Sequence, residues 1–196
     1  MDAATPAPAT AATRPRAADL ERIRDALPDY ARDLKLNLGS VLTREGAAGL
    51  NEMQIWSIAV AAAIASRNGS FARQLEAAAT EVLDAAYLRA ARAAAAVMAM
   101  NNVYYRFIHL VGNPDYEHMP ARLRMNVIAS PGVPRGDFEL LALAVSAING
   151  CGLCLSAHER ALREHGVTTE AIQSAVRIAA VVCAVAAVGA YEGIDA

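Results

Sequence analysis

Three residues of chemically active type lie close together in "NGCGLCLSAHER", residues 149–160: Cys151, Cys154 and His158. On a helix, residues three and four apart share a face, so the two thiols come within bonding reach and the imidazole lies one turn beyond Cys154. A helix N-terminus and an imidazolium both favour thiolate over thiol, so at least one cysteine is expected to ionise below the free value of about 8.5. That is what a nucleophile needs. Cys151 has the advantage of the helix terminus and is expected to be the more exposed sulfur, whereas Cys154 has a base one turn away to take its proton. Spacing leaves open which one attacks. Glu139 lies 12 residues before Cys151, and a carboxylate there can orient His158 or accept its proton if the chain between them folds back.

Each of these residues also has a plainer reading. Glu139 can be a first-turn acid answering a helix dipole, and His158 a surface histidine. A CxxC can be half of a zinc site, although structural zinc takes four ligands and His109, His118 and His165 have no ligand-like spacing. The third cysteine, Cys183, falls within the most apolar segment and reads as a small buried core residue. Met98, Met100 and the "VYY" after them read as packing. Glycine-rich phosphate loops and a GxSxG elbow are absent.

The elements that must position these residues are helices. Alanine is abundant, aromatics are only 5% of the 196 residues, and runs of Val, Ile and Thr are nearly absent, which predicts an all-α fold. An amphipathic pattern covers residues 17–34 with Pro28 as a break, and "KLNLGSVL" reads as a connector containing a turn. Residues 51–66 open on an Asn cap and stop at "RNGS"; residues 80–107 form a long Ala-rich helix with Arg89 and Arg92 on its wetter side. Residues 111–136 are irregular. Asp137 is expected to cap a helix through Ile148, Asn149-Gly150 to break it, and residues 151–165 to restart it. Thr168 or Thr169 with Glu170 caps a last helix to Tyr191.

A net charge of −2 with dispersed basic residues gives no reason to expect nucleic acid or an anionic membrane as partner. Residues 1–16, rich in Ala and Pro, contain no apolar signal core and read as a disordered tail before a single domain over residues 17–196. The most apolar window, residues 178–191, is shorter than the ~20 residues of a membrane span and reads as a core helix, so the chain is expected to be soluble. Three cysteines do not make a secreted disulfide framework; CxxC in a reducing cytoplasm points to redox cycling or metal binding. A shift of 85 residues lays Ala59-Val60 on Ala144-Val145, Arg92 on Arg177 and Val103 on Val188, which predicts two similar halves at about 50–107 and 135–192. Under that shift Glu139, Cys151, Cys154 and His158 face Gln54, Ser66, Gly69 and Arg73, so the first half has none of the chemistry.

"FELLALAVSAINGCGLCLSAHERAL" carries the pattern E-x11-C-x2-C-x3-H and resembles the signature of the AhpD-type alkylhydroperoxidases. "LPDYARDLKLNL", "MNNVYYRF" and "LRMNVIASPGVP" are similar to further stretches of that family, so the resemblance spans about residues 20–191. It implies an all-α fold with an internally duplicated helical unit, a homotrimer, and a peroxidase with no bound cofactor, haem or metal. Carried over, Cys154 is the peroxide-attacking thiolate, Cys151 resolves it as a Cys151–Cys154 disulfide, and His158 with Glu139 forms a proton relay. The implied electron donor is a dihydrolipoyl group on the acyltransferase subunit of a 2-oxoacid dehydrogenase complex with its lipoamide dehydrogenase; an AhpC-type peroxiredoxin is a second expected partner. Some members carry a histidine between the cysteines where this chain has Leu153, so a helper role for that histidine does not transfer. Two alternatives stand beside this reading. One is a carboxymuconolactone-decarboxylase-like enzyme, which has no need of CxxC. The other is a non-catalytic thiol relay or scaffold.

Overall fold

A computed structural model describes residues 16–194. Helix α1 spans Arg16–Asp25, and a 3-10 turn at Asp29–Ala31 leads into α2, Arg32–Val41. The central run is α3, Glu52–Ala65, α4, Gly69–Ala79, and α5, Ala85–Val111. Two short helices, α6 (Pro114–His118) and α7 (Asn126–Ala129), lead to α8, Arg135–Asn149, α9, Gly152–Glu164, and α10, Thr169–Glu192. No strand occurs among the described residues. The expected tail of residues 1–16 lies outside the described residues apart from Arg16, which opens α1.

Local chemistry sets most of the helix ends. Asn51 Oδ1 accepts the Gln54 N–H and Gln54 Oε1 accepts the Asn51 N–H, both at 2.9 Å, a reciprocal cap that starts α3. Asn68, Asp84 and Thr168 cap α4, α5 and α10, their side-chain oxygens accepting backbone N–H groups of the first turn. The segment "KLNLGSVL" is not a connector: residues up to Val41 continue α2, because Leu38 and Val41 at helical spacing are buried and outweigh the glycine. Residues 69–79, where no helix was expected, form α4 on the Asn68 cap, with Phe71, Leu75 and Ala78 buried.

α3 is the hub. Every residue from Ile55 to Ala63 is buried, and the helix packs on α5, α8 and α10. A helix enclosed on all sides must be apolar all round, and its alanines let neighbouring backbones approach closely. One carboxylate locks the hub to the site. Asp137, in the first turn of α8, accepts Gln54 Nε2–H at 2.7 Å from α3 and the Tyr87 hydroxyl at 2.5 Å from α5. Burial, with that bond to Asp137, pushes the Tyr87 hydroxyl far above its ordinary range, so it stays a donor. α8 thus begins at Arg135, and Asp137 acts as a tertiary anchor rather than a cap.

α10 runs 24 residues and by length and composition is long enough to cross a membrane, unlike the 14-residue window read from sequence. In this fold it packs on α2, α3 and α8 and buries Ile178, Ala179, Val182, Val185 and Ala186. Cys183 is not in the core as expected. It lies at the edge of that buried stripe, a half-buried free thiol beside an apolar groove with Ala147, Ile148 and Val176.

Candidate active site

The turn between α8 and α9 builds the site. Gly150, at φ +67°, ends α8: its N–H reaches Ala147 O and the Cys151 N–H reaches Ser146 O, each at 3.2 Å, the paired bonds of a left-handed helix stop. Arg106 of α5 donates to the Asn149 carbonyl at 2.6 Å and fixes the turn from outside. The chain therefore reverses within two residues, and α9 packs back along α8.

Cys151 sits at the N-cap of α9 rather than in its first turn, and the Cys154 N–H points at its sulfur at 3.3 Å. The two sulfurs are joined as a disulfide, with the Cα atoms 5.3 Å apart. Their exposure reverses the expectation from sequence: Cys151 is 0% exposed and Cys154 7%. Both are buried, but only Cys154, the third residue of α9, lines the adjoining cavity.

Cys154 and His158 border one cavity of about 220 Å³, whose other walls are Met98, Asn101, Tyr105, Ile128, Leu153 and Ala157. Cys151 does not line it. The walls are mostly apolar, and the volume suits a ligand smaller than the drug-sized molecules held in sites of about 300–1,000 Å³.

Glu139 and His158 meet across the turn. His158 Nδ1 lies 2.7 Å from Glu139 Oε2, and Arg135 donates to the other carboxylate oxygen at 2.8 Å. Burial alone would raise the Glu139 carboxyl; the hydrogen bond and charge of His158, joined by Arg135, more than offset this and hold it below the ordinary carboxylate range. An ionised carboxylate only accepts, so Nδ1 carries the proton and donates, and Nε2 is the ring nitrogen left to act as a base. Glu139 is thus not a first-turn acid, because α8 begins four residues earlier. Nor is His158 a surface histidine, since its side chain is 13% exposed.

Sequence reasoning missed Arg135, Asn101 and Tyr105. Arg135 had a usable signal, the i,i+4 spacing to Glu139. Met98, Asn101 and Tyr105 share one face of α5, but only the packing of α5 on α9 turns that face into a cavity wall.

The fold and site define an all-helical protein with a vicinal dithiol at a helix start, backed by a carboxylate–histidine pair. Residues 114–192, which hold all four of those side chains, match the model of the carboxymuconolactone decarboxylase family. An alkyl hydroperoxide reductase AhpD of Rhodospirillum centenum is 57% identical over 169 residues, covering 86% of this chain and 89% of that one. The proteins of the same description from Bradyrhizobium sp. and Brucella canis are 54% and 52% identical, covering 85% and 83% of this chain and 91% of each relative. The chain belongs to the AhpD alkyl hydroperoxide reductase family.

Proposed function

We propose that the chain reduces organic hydroperoxides, and hydrogen peroxide, through a Cys151/Cys154 dithiol–disulfide cycle. The observation that carries this reading is that Cys154, and not its disulfide partner, opens on the apolar cavity beside His158. The Cys154 thiolate attacks the terminal peroxide oxygen; an S–O bond forms, the O–O bond breaks, and the alkoxide leaves and takes a proton to become the alcohol. Cys151 then attacks the sulfenic sulfur, forming the S–S bond and expelling hydroxide, which leaves as water. His158, oriented by Glu139, takes the thiol protons as general base and hands them to the departing oxygens.

The cycle closes when a dihydrolipoyl group gives two electrons and two protons to the disulfide and leaves oxidised. A lipoylated acyltransferase subunit of a 2-oxoacid dehydrogenase complex, kept reduced from NADH by lipoamide dehydrogenase, is the donor in this reading, with an AhpC-type peroxiredoxin as a further partner. No bound cofactor is required. Such a donor places the reaction in the cytoplasm, and we take the working assembly to be a homotrimer. A lactone decarboxylase has no use for a vicinal dithiol, and a passive relay has no use for the cavity. We also infer that the domain arose by internal duplication: the 85-residue shift carries α3 onto α8, α4 onto α9 and α5 onto α10.

The test is NADH oxidation driven by cumene hydroperoxide with lipoamide, lipoamide dehydrogenase and the protein. Turnover is expected in the unmodified chain and is lost in Cys154→Ser; undiminished turnover in that variant ends this mechanism.

A further inference from the structure

Two asparagines stand side by side on α5, and the fold uses them differently. Asn102 is fully engaged: its Nδ2–H donates to Ser146 Oγ at 2.9 Å, and its Oδ1 accepts from Asn149 Nδ2 at 3.0 Å. Together with the Arg106 bond to Asn149, it ties α5 to the turn that presents the cysteines. Asn101 is 5% exposed, and its Oδ1 is buried with no hydrogen-bond partner among the described residues. Asn101 is one of the residues lining the cavity that Cys154 and His158 border.

A buried amide with an unmatched polar end is a standing cost to folding, and such groups concentrate where a ligand supplies the missing bond. The other walls of this cavity supply few polar groups: besides Cys154 and His158, only the Tyr105 hydroxyl belongs to a side chain with a hydrogen-bonding group of any strength. When the Cys154 thiolate attacks, negative charge moves onto the oxygen that will leave as alkoxide. In an apolar cavity that charge is poorly solvated, so a fixed donor beside it lowers the barrier more than it would in water.

We propose that the Asn101 carboxamide hydrogen-bonds the peroxide in this cavity, its Nδ2–H donating to the oxygen that leaves as alkoxide while its Oδ1 accepts the hydroperoxide O–H. Asn101 is then a catalytic residue of the peroxidatic step and has no part in the return of electrons to the disulfide. His158 deprotonates the thiol; Asn101 holds the leaving group until a proton reaches it. This role rests on the hydroperoxide reductase reading above.

The test uses the full chain and a series of peroxides whose leaving groups differ in basicity: hydrogen peroxide, which releases water, and cumene and tert-butyl hydroperoxide, which release alcohols. Asn101→Leu should lower kcat/KM for hydroperoxide by about a hundredfold. It should also steepen the dependence of that rate on leaving-group pKa, while reduction of the Cys151–Cys154 disulfide by dihydrolipoamide keeps its rate. A purely structural role would slow both half-reactions and leave the slope alone. Asn101→Ala, which removes the amide without adding bulk, gives the same readout should Leu disturb the packing. Asn101 variants with the rate and slope of the unmodified chain overturn the proposal, as does a steeper slope confined to Tyr105→Phe. Failure of the unmodified chain to consume any hydroperoxide overturns the underlying reading and this role with it, an outcome separate from both.

Discussion

Glu139 Oε2 and His158 Nδ1 stand 2.7 Å apart although 19 residues separate them, because the left-handed stop at Gly150 lays the first turns of α8 against the middle of α9. The contact fixes the imidazole tautomer. Glu139→Gln keeps a hydrogen-bond acceptor but loses the charge that holds the proton on Nδ1, so hydroperoxide turnover should fall at neutral pH. His158→Phe removes the base itself and should fall further, by about a hundredfold or more, the usual worth of a positioned acid–base group. Rates measured across pH settle the point: Glu139→Gln should change the pH profile of hydroperoxide turnover, and equal profiles would remove the relay.

The same pair makes stability depend on pH. Glu139 holds its proton less tightly folded than unfolded, since His158 and Arg135 favour its ionised form. The unfolded chain therefore binds the extra proton in acid, and the stability contributed by the ionised carboxylate is present above the ordinary carboxylate range and lost as pH falls through the folded value. Urea midpoints taken downward from neutral pH should drop more steeply for the unmodified protein than for Glu139→Gln. Parallel curves would show that Glu139 contributes no proton linkage.

The all-α class and most long helices were legible from composition, caps and period: Asn51 and Thr168 are local signals, read by local rules, whereas α5 starts on the Asp84 cap and not at residue 80. The site was legible as a list of four residues, since their spacing is a property of the chain. Its polarity was not. Which sulfur lines the cavity depends on how α9 packs on α8, and the expected exposure of Cys151 came out reversed. The start of α8 was misplaced at Asp137 because its capping-type side chain is spent on Gln54 and Tyr87 of other helices. The same error hid Arg135. α4 was missed because "GSFARQLEAAA" begins with a glycine and owes its burial to α1 and α3.

Two glycines separate backbone strain from crowding. Gly150, at φ +67°, has nothing within 4 Å of where a Cβ would stand, so Gly150→Ala should cost only the left-handed conformation, about 1–2 kcal/mol. Gly49, at φ +81°, would set its Cβ 2.9 Å from the Ala171 Cβ at the start of α10. Gly49→Ala should carry the same strain plus overpacking of about 1–3 kcal/mol. Urea unfolding of both variants is the measurement, and the order Gly150→Ala above Gly49→Ala in stability is the expected result. Gly150→Ala should also keep hydroperoxide activity, provided the α8–α9 turn stays closed.

The division of labour between the two sulfurs gives the sharpest expectation. If Cys154 attacks from the cavity and Cys151 resolves from beneath it, one equivalent of hydroperoxide added to the reduced protein should remove two thiols and leave Cys183 titratable, since Cys183 sits on α10 beside a different groove. Cys151→Ser should still react once, at nearly the full rate, and stop at a sulfenic acid on Cys154 that a dimedone adduct reports by mass. Cys154→Ser should show no peroxide-dependent adduct on Cys151, which is 0% exposed and does not reach the cavity. An adduct on Cys151 in Cys154→Ser, formed as fast as that on Cys154 in Cys151→Ser, would reverse the assignment. The buried N-cap sulfur would then be the nucleophile, and the cavity would serve some other step.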